Sequence, residues 1–139
     1  MKRLLRKLAM TVMVGSMVYS IPALTQVSPT TEKAARIRIT HGPEIERNDS
    51  YLVIIRWTSN NPGGSPEHYG VVHYGTDPRE LNQIAKSPIR LNPGHSDALF
   101  RVRVDDLRPR TTYYYRVGAM ESNGKDDGLK SDVKQFTTP

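Results

Sequence analysis

The stretch from Leu107 to Val117 constrains the fold of this chain more than any other part of the sequence. Pro109 favours a turn, and the residues after it place Tyr113, Tyr115 and Val117 on one face of a strand, because side chains alternate along a strand. A buried tyrosine hydroxyl needs a hydrogen-bond partner, which the backbone a few residues upstream can supply. The stretch therefore predicts a corner of a β-sandwich, in which these three side chains have a structural role.

Short segments with strand character account for most of the remaining chain. They are rich in β-branched and aromatic residues, they are separated by turn sequences, and none has a sustained helical period. The segments are 35–40, 51–58, 68–75, a weaker one within 81–91, 98–104, 111–119 and 131–138. Gly42-Pro43 is expected to end the first segment. The pattern predicts an all-β fold, a seven-stranded immunoglobulin-like sandwich, formed by one domain over residues 34–139.

The alternation in each segment predicts which side chains face the core. Trp57 supplies the largest apolar surface, and its parity places Leu52 and Ile54 on the outer side of the same strand. The other side chains predicted to face inward are Ile37, Ile39, Val53, Ile55, Val72, Tyr74, Phe100, Val102, Val104, Val133 and Phe136.

The N-terminus has the pattern of a targeting segment. Four basic residues lie within positions 2–7, and a mostly apolar run of roughly a dozen residues follows, which is short for a membrane span of about 20 residues. We expect residues 1–25 to be a signal peptide, with an uncleaved N-terminal anchor as the alternative. Residues 26–33 are polar and are expected to be a linker. The domain is therefore expected to be secreted, periplasmic or at the cell surface, with a membrane contact only through an uncleaved segment.

The overall charge of the chain depends on this segment. The formal net charge is +6, but four of the 20 basic residues lie in the targeting segment, so 16 basic and 14 acidic side chains remain beyond it. A nearly balanced domain gives no reason to expect a nucleic-acid partner. The chain has no cysteine, which excludes disulfides, a thiol nucleophile and a cysteine-based zinc site.

The segments together resemble a fibronectin type III domain. The resemblance rests on the tryptophan strand Ile55-Arg56-Trp57-Thr58, on the corner from Leu107 to Val117 and on the closing Phe136-Thr137-Thr138. A narrower likeness is to the N-terminal sandwich of purple acid phosphatases and related secreted metallophosphatases, carried by 72–75, 113–118 and 136–139. This resemblance implies a β-sandwich that precedes a metal-bearing catalytic domain in those enzymes.

The sequence offers no catalytic constellation. The histidines, His41, His68, His73 and His95, have no metal-ligand spacing, and we expect them to be surface residues. No serine lies in a Gly-x-Ser-x-Gly pattern. We therefore expect no enzyme activity, no cofactor and no metal.

One predicted interaction surface is the outer side of the sheet that contains the tryptophan strand. We call it the arginine face, and it consists of Arg36, Arg38, Leu52, Ile54, Arg56, Arg101 and Arg103. No acidic residue falls within the predicted strands that carry it. The face can dock a partner domain or an anionic polymer. The alternative is a solvated surface on which arginine stems cover the aliphatic side chains.

A second predicted surface lies on the outer side of the other sheet. We call it the aromatic–basic face, and it consists of Tyr69, His73, Tyr114 and Arg116, with Val71 beside them. Such aromatic side chains can stack on sugar rings or bury against a protein. The alternative is that they stabilise the sheet through cross-strand pairing.

The sequence as a whole predicts an exported, non-enzymatic binding or adaptor module. Its expected partner is a protein or an anionic cell-surface polymer. The alternative is an accessory N-terminal-type domain of a secreted metallophosphatase that lacks its catalytic domain.

Overall fold

The computed structural model describes residues 36–126 and 130–139. The predicted signal segment and linker lie outside these residues, as does part of the polar loop between the last two strands. In the part of the chain described, seven strands form and no helix is present. The predicted all-β sandwich is therefore confirmed.

The strands form two antiparallel sheets. Their bounds are β1 Ile39–Asn48, β2 Val53–Asn60, β3 Glu67–Gly75, β4 Gln83–Arg90, β5 Asp97–Val104, β6 Thr112–Glu121 and β7 Lys134–Thr137. One sheet has the order β1-β2-β5 and the other the order β4-β3-β6-β7. This arrangement is compatible with a fibronectin type III sandwich. The weak segment after β3 forms one continuous edge strand, β4.

The first strand differs from the sequence prediction, because Gly42-Pro43 does not end it. Gly42 adopts a positive φ of 82° and the Gly42-Pro43 peptide is cis, so the backbone bulges there and pairing with β2 resumes at Glu44. A proline on an edge strand removes no ladder hydrogen bond when its nitrogen faces away from the neighbouring strand. The strand consequently continues to Asn48 and carries Glu44 and Glu46 into the sheet.

The core lies between the two sheets and is centred on Trp57. Its ring stacks on Phe100 with centroids 5.3 Å apart. Gly70 on β3 faces this pair, and a Cβ added there would lie 3.2 Å from Trp57 Cη2 and 2.9 Å from Val102 Cγ2. Because Gly70 has no side chain, the Trp57 ring can pack directly against the backbone of β3. The predicted inward positions of β2 and β5 are all buried.

The corner has the predicted geometry. The backbone N–H of Arg108 donates a 2.8 Å hydrogen bond to the Tyr113 hydroxyl, which closes the turn onto the strand that follows it. Tyr113 also stacks on Phe136, with ring centroids 5.5 Å apart. Thr138 adds a second link, since its hydroxyl donates to the Arg108 carbonyl at 2.6 Å. The corner therefore joins the start of β6 to the end of the chain.

Three burial predictions are wrong. His68 is fully buried at 0% exposure, because it lies at an inward position of β3 rather than on the surface. Val133 is 45% exposed, because β7 starts only at Lys134. Val71 has the outward parity that the sequence predicts, but it is buried at 2% exposure. The outer side of the four-stranded sheet is therefore partly covered by its own side chains.

Candidate interaction faces

The arginines of the three-stranded sheet pair with carboxylates. Arg56 and Arg101 are register partners on β2 and β5, as the predicted shared face requires. Arg56 Nε donates to Glu44 Oε1 at 2.9 Å, and Arg101 Nε donates to Glu46 Oε2 at 2.5 Å. Both acids belong to the part of β1 that the sequence prediction omitted. The expectation that no acidic residue lies among these strands is therefore wrong, because the strand continues past Gly42-Pro43.

Arg103, the other arginine of this face on β5, also has a carboxylate partner. Arg103 Nε donates to Asp105 Oδ1 at 2.7 Å, just beyond the end of β5. The Arg101 guanidinium holds the pKa of the Glu46 carboxyl below its usual range, chiefly by the hydrogen bond between Arg101 and Glu46. Exposed ion pairs of this kind add little to stability, but they neutralise the charge of the surface they cover. Three arginines of the arginine face are thus balanced by carboxylates within the fold.

The other members of the arginine face occupy different surroundings. Ile54 is half-buried between its register partners Arg47 and Arg103, and Leu52 is half-buried just before β2. The pair is thus partly covered by its surroundings instead of forming an open apolar patch.

Arg36 and Arg38 lie at the other end of the sheet. The Asn60 side chain contacts the backbone of both, through a hydrogen bond to the Arg36 carbonyl and another from the Arg38 N–H. Arg38 also lines a cavity of about 390 Å³ between the edges of the two sheets, together with Lys130 and Lys134. The seven predicted members of the arginine face therefore do not form one continuous site.

The aromatic–basic face lies on β3 and β6 as the parity predicts. His73 and Arg116 are register partners, and Tyr69 and Tyr114 occupy outward positions of the same two strands. All four side chains are half-buried. The structure thus brings these four residues onto one sheet surface.

The structure adds two lysines to this face. Lys86 of β4 places its Nζ 5.2 Å from the centre of the Tyr69 ring, a cation–π contact. Lys130 lies over β6, since its Cγ is 3.3 Å from the position that a Cβ on Gly118 would take. Sequence reasoning missed Lys86 because the weak segment left the register of β4 undefined. Lys130 lies in a loop that no periodicity places.

The charge of this face differs from that of the arginine face. The Nε of Arg116 is buried and has no hydrogen-bond partner among the described residues. Lys130 contacts Asp126 at 3.6 Å. Burial lowers the pKa of His73, and the charges of Lys130 and Arg116 lower it further, while Asp126 acts in the opposite direction. Among the described residues, Lys130 therefore has a carboxylate beside it and the Arg116 side chain has none.

Within 36–126 and 130–139, no group of three or more histidine, aspartate or glutamate side chains is placed to hold a metal ion. Over the same residues, no helix is long and apolar enough to cross a membrane.

The fold and these faces define a seven-stranded β-sandwich domain. The sequence model described as "Purple acid Phosphatase, N-terminal domain" matches residues 45–138. The chain belongs to this family. The narrower likeness drawn from the sequence is thereby confirmed, and the match is to the N-terminal domain of these proteins.

Solved structures with a similar fold include the sensor domain of the anti-sigma factor RsgI4 in Pseudobacteroides cellulosolvens. A longer form of that domain is 18% identical, with a TM-score of 0.50, and the match covers 73% of this chain and 88% of that one. A shorter form is 20% identical with a TM-score of 0.48, covering 76% and 96% of the two chains. At this identity the first likeness shows a shared fold. No curated protein matches the chain.

Proposed function

We propose that the chain is an exported, non-catalytic binding module that holds an acidic cell-surface polysaccharide on the aromatic–basic face. The observation that carries the proposal is that Tyr69, His73, Tyr114 and Arg116 share one sheet surface, where Arg116 has no carboxylate partner in the described chain. Membership of a family of N-terminal domains supports the non-catalytic part. The targeting pattern of residues 1–25 supports export.

The chemistry of the face suits an acidic sugar polymer. Tyrosine rings offer flat apolar surface next to a polar hydroxyl, which matches the mixed character of a sugar ring. Arg116, Lys86 and Lys130 supply positive charge beside the two rings. An arginine side chain binds carboxylate and sulfate groups through two parallel N–H donors. Charge complementarity therefore favours an acidic polysaccharide over a neutral one.

The arginine face is less suited to such a ligand. A polyanion that approached Arg56 or Arg101 would have to displace Glu44 or Glu46 from its hydrogen bond. The three pairs leave little net charge to attract it, and salt weakens what remains. We therefore assign ligand binding to the four-stranded sheet and regard the arginine face as a solvated surface stabilised by ion pairs.

Retention on immobilised polygalacturonate tests the proposal. The full chain should be retained on this acidic matrix and not on a neutral polysaccharide matrix, and retention should weaken with added salt. Tyr114→Ala should weaken retention, while Tyr51→Ala should not, because Tyr51 is exposed and lies outside this face. Equal retention on the two matrices, or no retention on either, would contradict an acidic polysaccharide as the ligand.

Export has its own test. Protein recovered outside the cytoplasm should begin near residue 26, which N-terminal sequencing would show. Recovery of the chain in the cytoplasm with residues 1–25 intact would contradict the export proposal.

A second candidate function follows from the family match. This candidate is an accessory domain that works beside a metallophosphatase catalytic domain. On either proposal the purified chain should not hydrolyse p-nitrophenyl phosphate with added divalent metal. Turnover above a buffer control would contradict the non-catalytic assignment. Co-purification with a phosphatase from the same cells, without retention on polygalacturonate, would favour the accessory role.

A further inference from the structure

We infer that His73, Arg116 and Lys130 form a discrete oxyanion site that binds one carboxylate or sulfate group of an acidic sugar. This inference rests on the proposed function and deepens it, because it assigns the charged group of the ligand to a defined place on the aromatic–basic face. The surrounding tyrosines would then contact the sugar ring rather than the charged group.

The geometry brings the three basic side chains to one place. His73 and Arg116 are direct register partners across β3 and β6. Gly118 lies two residues beyond Arg116 on the same side of β6, and Lys130 Cγ packs over it. Any larger residue at position 118 would push Lys130 away from the sheet, since a Cβ there would already lie within 3.3 Å of it. Gly118 therefore allows Lys130 to lie close to the other two groups.

The hydrogen bonding of Arg116 sets it apart from the other strand arginines. Arg56, Arg101 and Arg103 each donate Nε to a carboxylate at 2.5–2.9 Å. Arg116 Nε is buried and has no acceptor among the residues that the structure describes. Because no carboxylate of the described residues pairs with Arg116, an external anion can accept charge-assisted hydrogen bonds from its guanidinium without displacing one. The fold has thus left one arginine available to an external anion.

The charged and titratable groups around His73 come from every neighbouring element. Arg116 and Tyr114 face it from β6, Lys86 lies on the outer side of β4, Tyr69 lies on its own strand, and Lys130 and Asp126 come from the segment after β6. Among the described residues, the acid near this group is Asp126, which is 3.6 Å from Lys130. The balance favours neutral imidazole in the absence of a ligand. An anion bound beside it would favour the protonated form.

The pKa of His73 is therefore a direct readout of the site. We would follow the histidine ring resonances of the full chain by NMR during pH titrations in sodium sulfate and in sodium chloride at equal ionic strength. His73→Gln assigns the resonance. Sulfate should raise the pKa of His73 by about 1 unit and saturate. The exposed His41 and His95 serve as internal controls and should not respond.

Two variants test whether the named residues form the site. Lys130→Gln and Arg116→Gln should each reduce the sulfate-dependent shift, and Arg103→Gln should retain it, because Arg103 lies on the other sheet and pairs with Asp105. Near-ultraviolet circular dichroism of Trp57 checks that each variant is folded. Lys130 is exposed, so its variant keeps the test valid if Arg116→Gln does not fold.

Glucuronate in place of sulfate distinguishes the source of the oxyanion. A shift with glucuronate indicates a uronate carboxylate, whereas a shift with sulfate alone indicates a sulfated sugar, and either supports the site. Equal His73 titrations in sulfate, glucuronate and chloride would overturn it, as would an undiminished shift in both Lys130→Gln and Arg116→Gln. Retention on polygalacturonate with no His73 response would remove this inference and leave the proposed function standing.

Discussion

His73 of β3 and Arg116 of β6 face each other across the outer side of the four-stranded sheet, as direct register partners. In the described part of the chain no carboxylate contacts Arg116, whereas Arg56 on the opposite sheet donates to Glu44 at 2.9 Å. The two sheets therefore expose arginines in different states. One sheet pairs Arg56, Arg101 and Arg103 with carboxylates, and the other keeps Arg116 available beside His73.

Removal of the central core ring should strongly destabilise the domain. Trp57 is 2% exposed and stacks on Phe100, so Trp57→Ala should lower the free energy of unfolding by about 3–5 kcal/mol. Leu99→Ala is the matched control, because Leu99 is 59% exposed on β5 and should change stability by less than about 0.5 kcal/mol. Urea unfolding measures both. Similar losses in the two variants would contradict the assigned core.

A single methyl group at Gly70 should also destabilise the fold. A Cβ there would lie 2.9 Å from Val102 Cγ2 and 3.1 Å from Phe100 Cδ1, so Gly70→Ala should cost about 1–3 kcal/mol by overpacking. At Gly94 a Cβ would meet only the Asn92 side chain, at 3.4 Å. Gly94→Ala should therefore be tolerated in the same urea experiment. A stable Gly70→Ala variant would show that Trp57 does not fill this space.

The corner hydrogen bond can be removed without loss of the ring. Tyr113→Phe leaves the Arg108 N–H without its 2.8 Å acceptor and should lower stability by about 1 kcal/mol. Tyr114→Phe removes the hydroxyl of the next residue, which points outward on the same strand, and should have little effect. Thermal unfolding of the two variants gives the comparison. A larger loss of stability in Tyr114→Phe than in Tyr113→Phe would contradict the assignment of the corner hydrogen bond to Tyr113.

The Arg101–Glu46 contact predicts a pH effect with a definite sign. The pKa of Glu46 is lowered in the folded state, so the unfolded state binds more protons at acid pH. The contribution of this carboxylate to stability is present above the ordinary glutamate pKa and is lost as the pH falls through its lowered folded value. NMR titration of the Glu46 carboxyl should show the low pKa, and Arg101→Gln should return it toward the ordinary value. An unchanged pKa in that variant would contradict the pairing.

The core and the corner could be predicted from the sequence because they depend on local patterns. Alternation alone places Val53, Ile55 and Trp57 inward, and the spacing around Pro109 identifies Tyr113 as the corner residue. These patterns follow from the two-residue period of a strand. They do not depend on which strands pair with one another.

The charge pairing of the faces could not be predicted in the same way. Glu44 and Glu46 follow Gly42-Pro43, a sequence typical of a strand end, and only a bulge with positive φ at Gly42 lets the strand continue. Lys130 reaches the aromatic–basic face from a loop, through space left by Gly118. Such contacts depend on tertiary packing between distant segments. Strand periodicity carries no information about them.

The most direct test of the account compares the two faces with the same charge change. Arg116→Gln and Arg103→Gln each remove one positive charge from the outer side of a sheet, and both can be assayed for affinity to polygalacturonate at fixed salt. Because hydrogen bonds to charged groups contribute about 1.5–3 kcal/mol, Arg116→Gln should weaken binding by about tenfold or more. Arg103→Gln should leave the affinity nearly unchanged. Equal losses in the two variants, or a larger loss in Arg103→Gln, would contradict the assignment of binding to the aromatic–basic face.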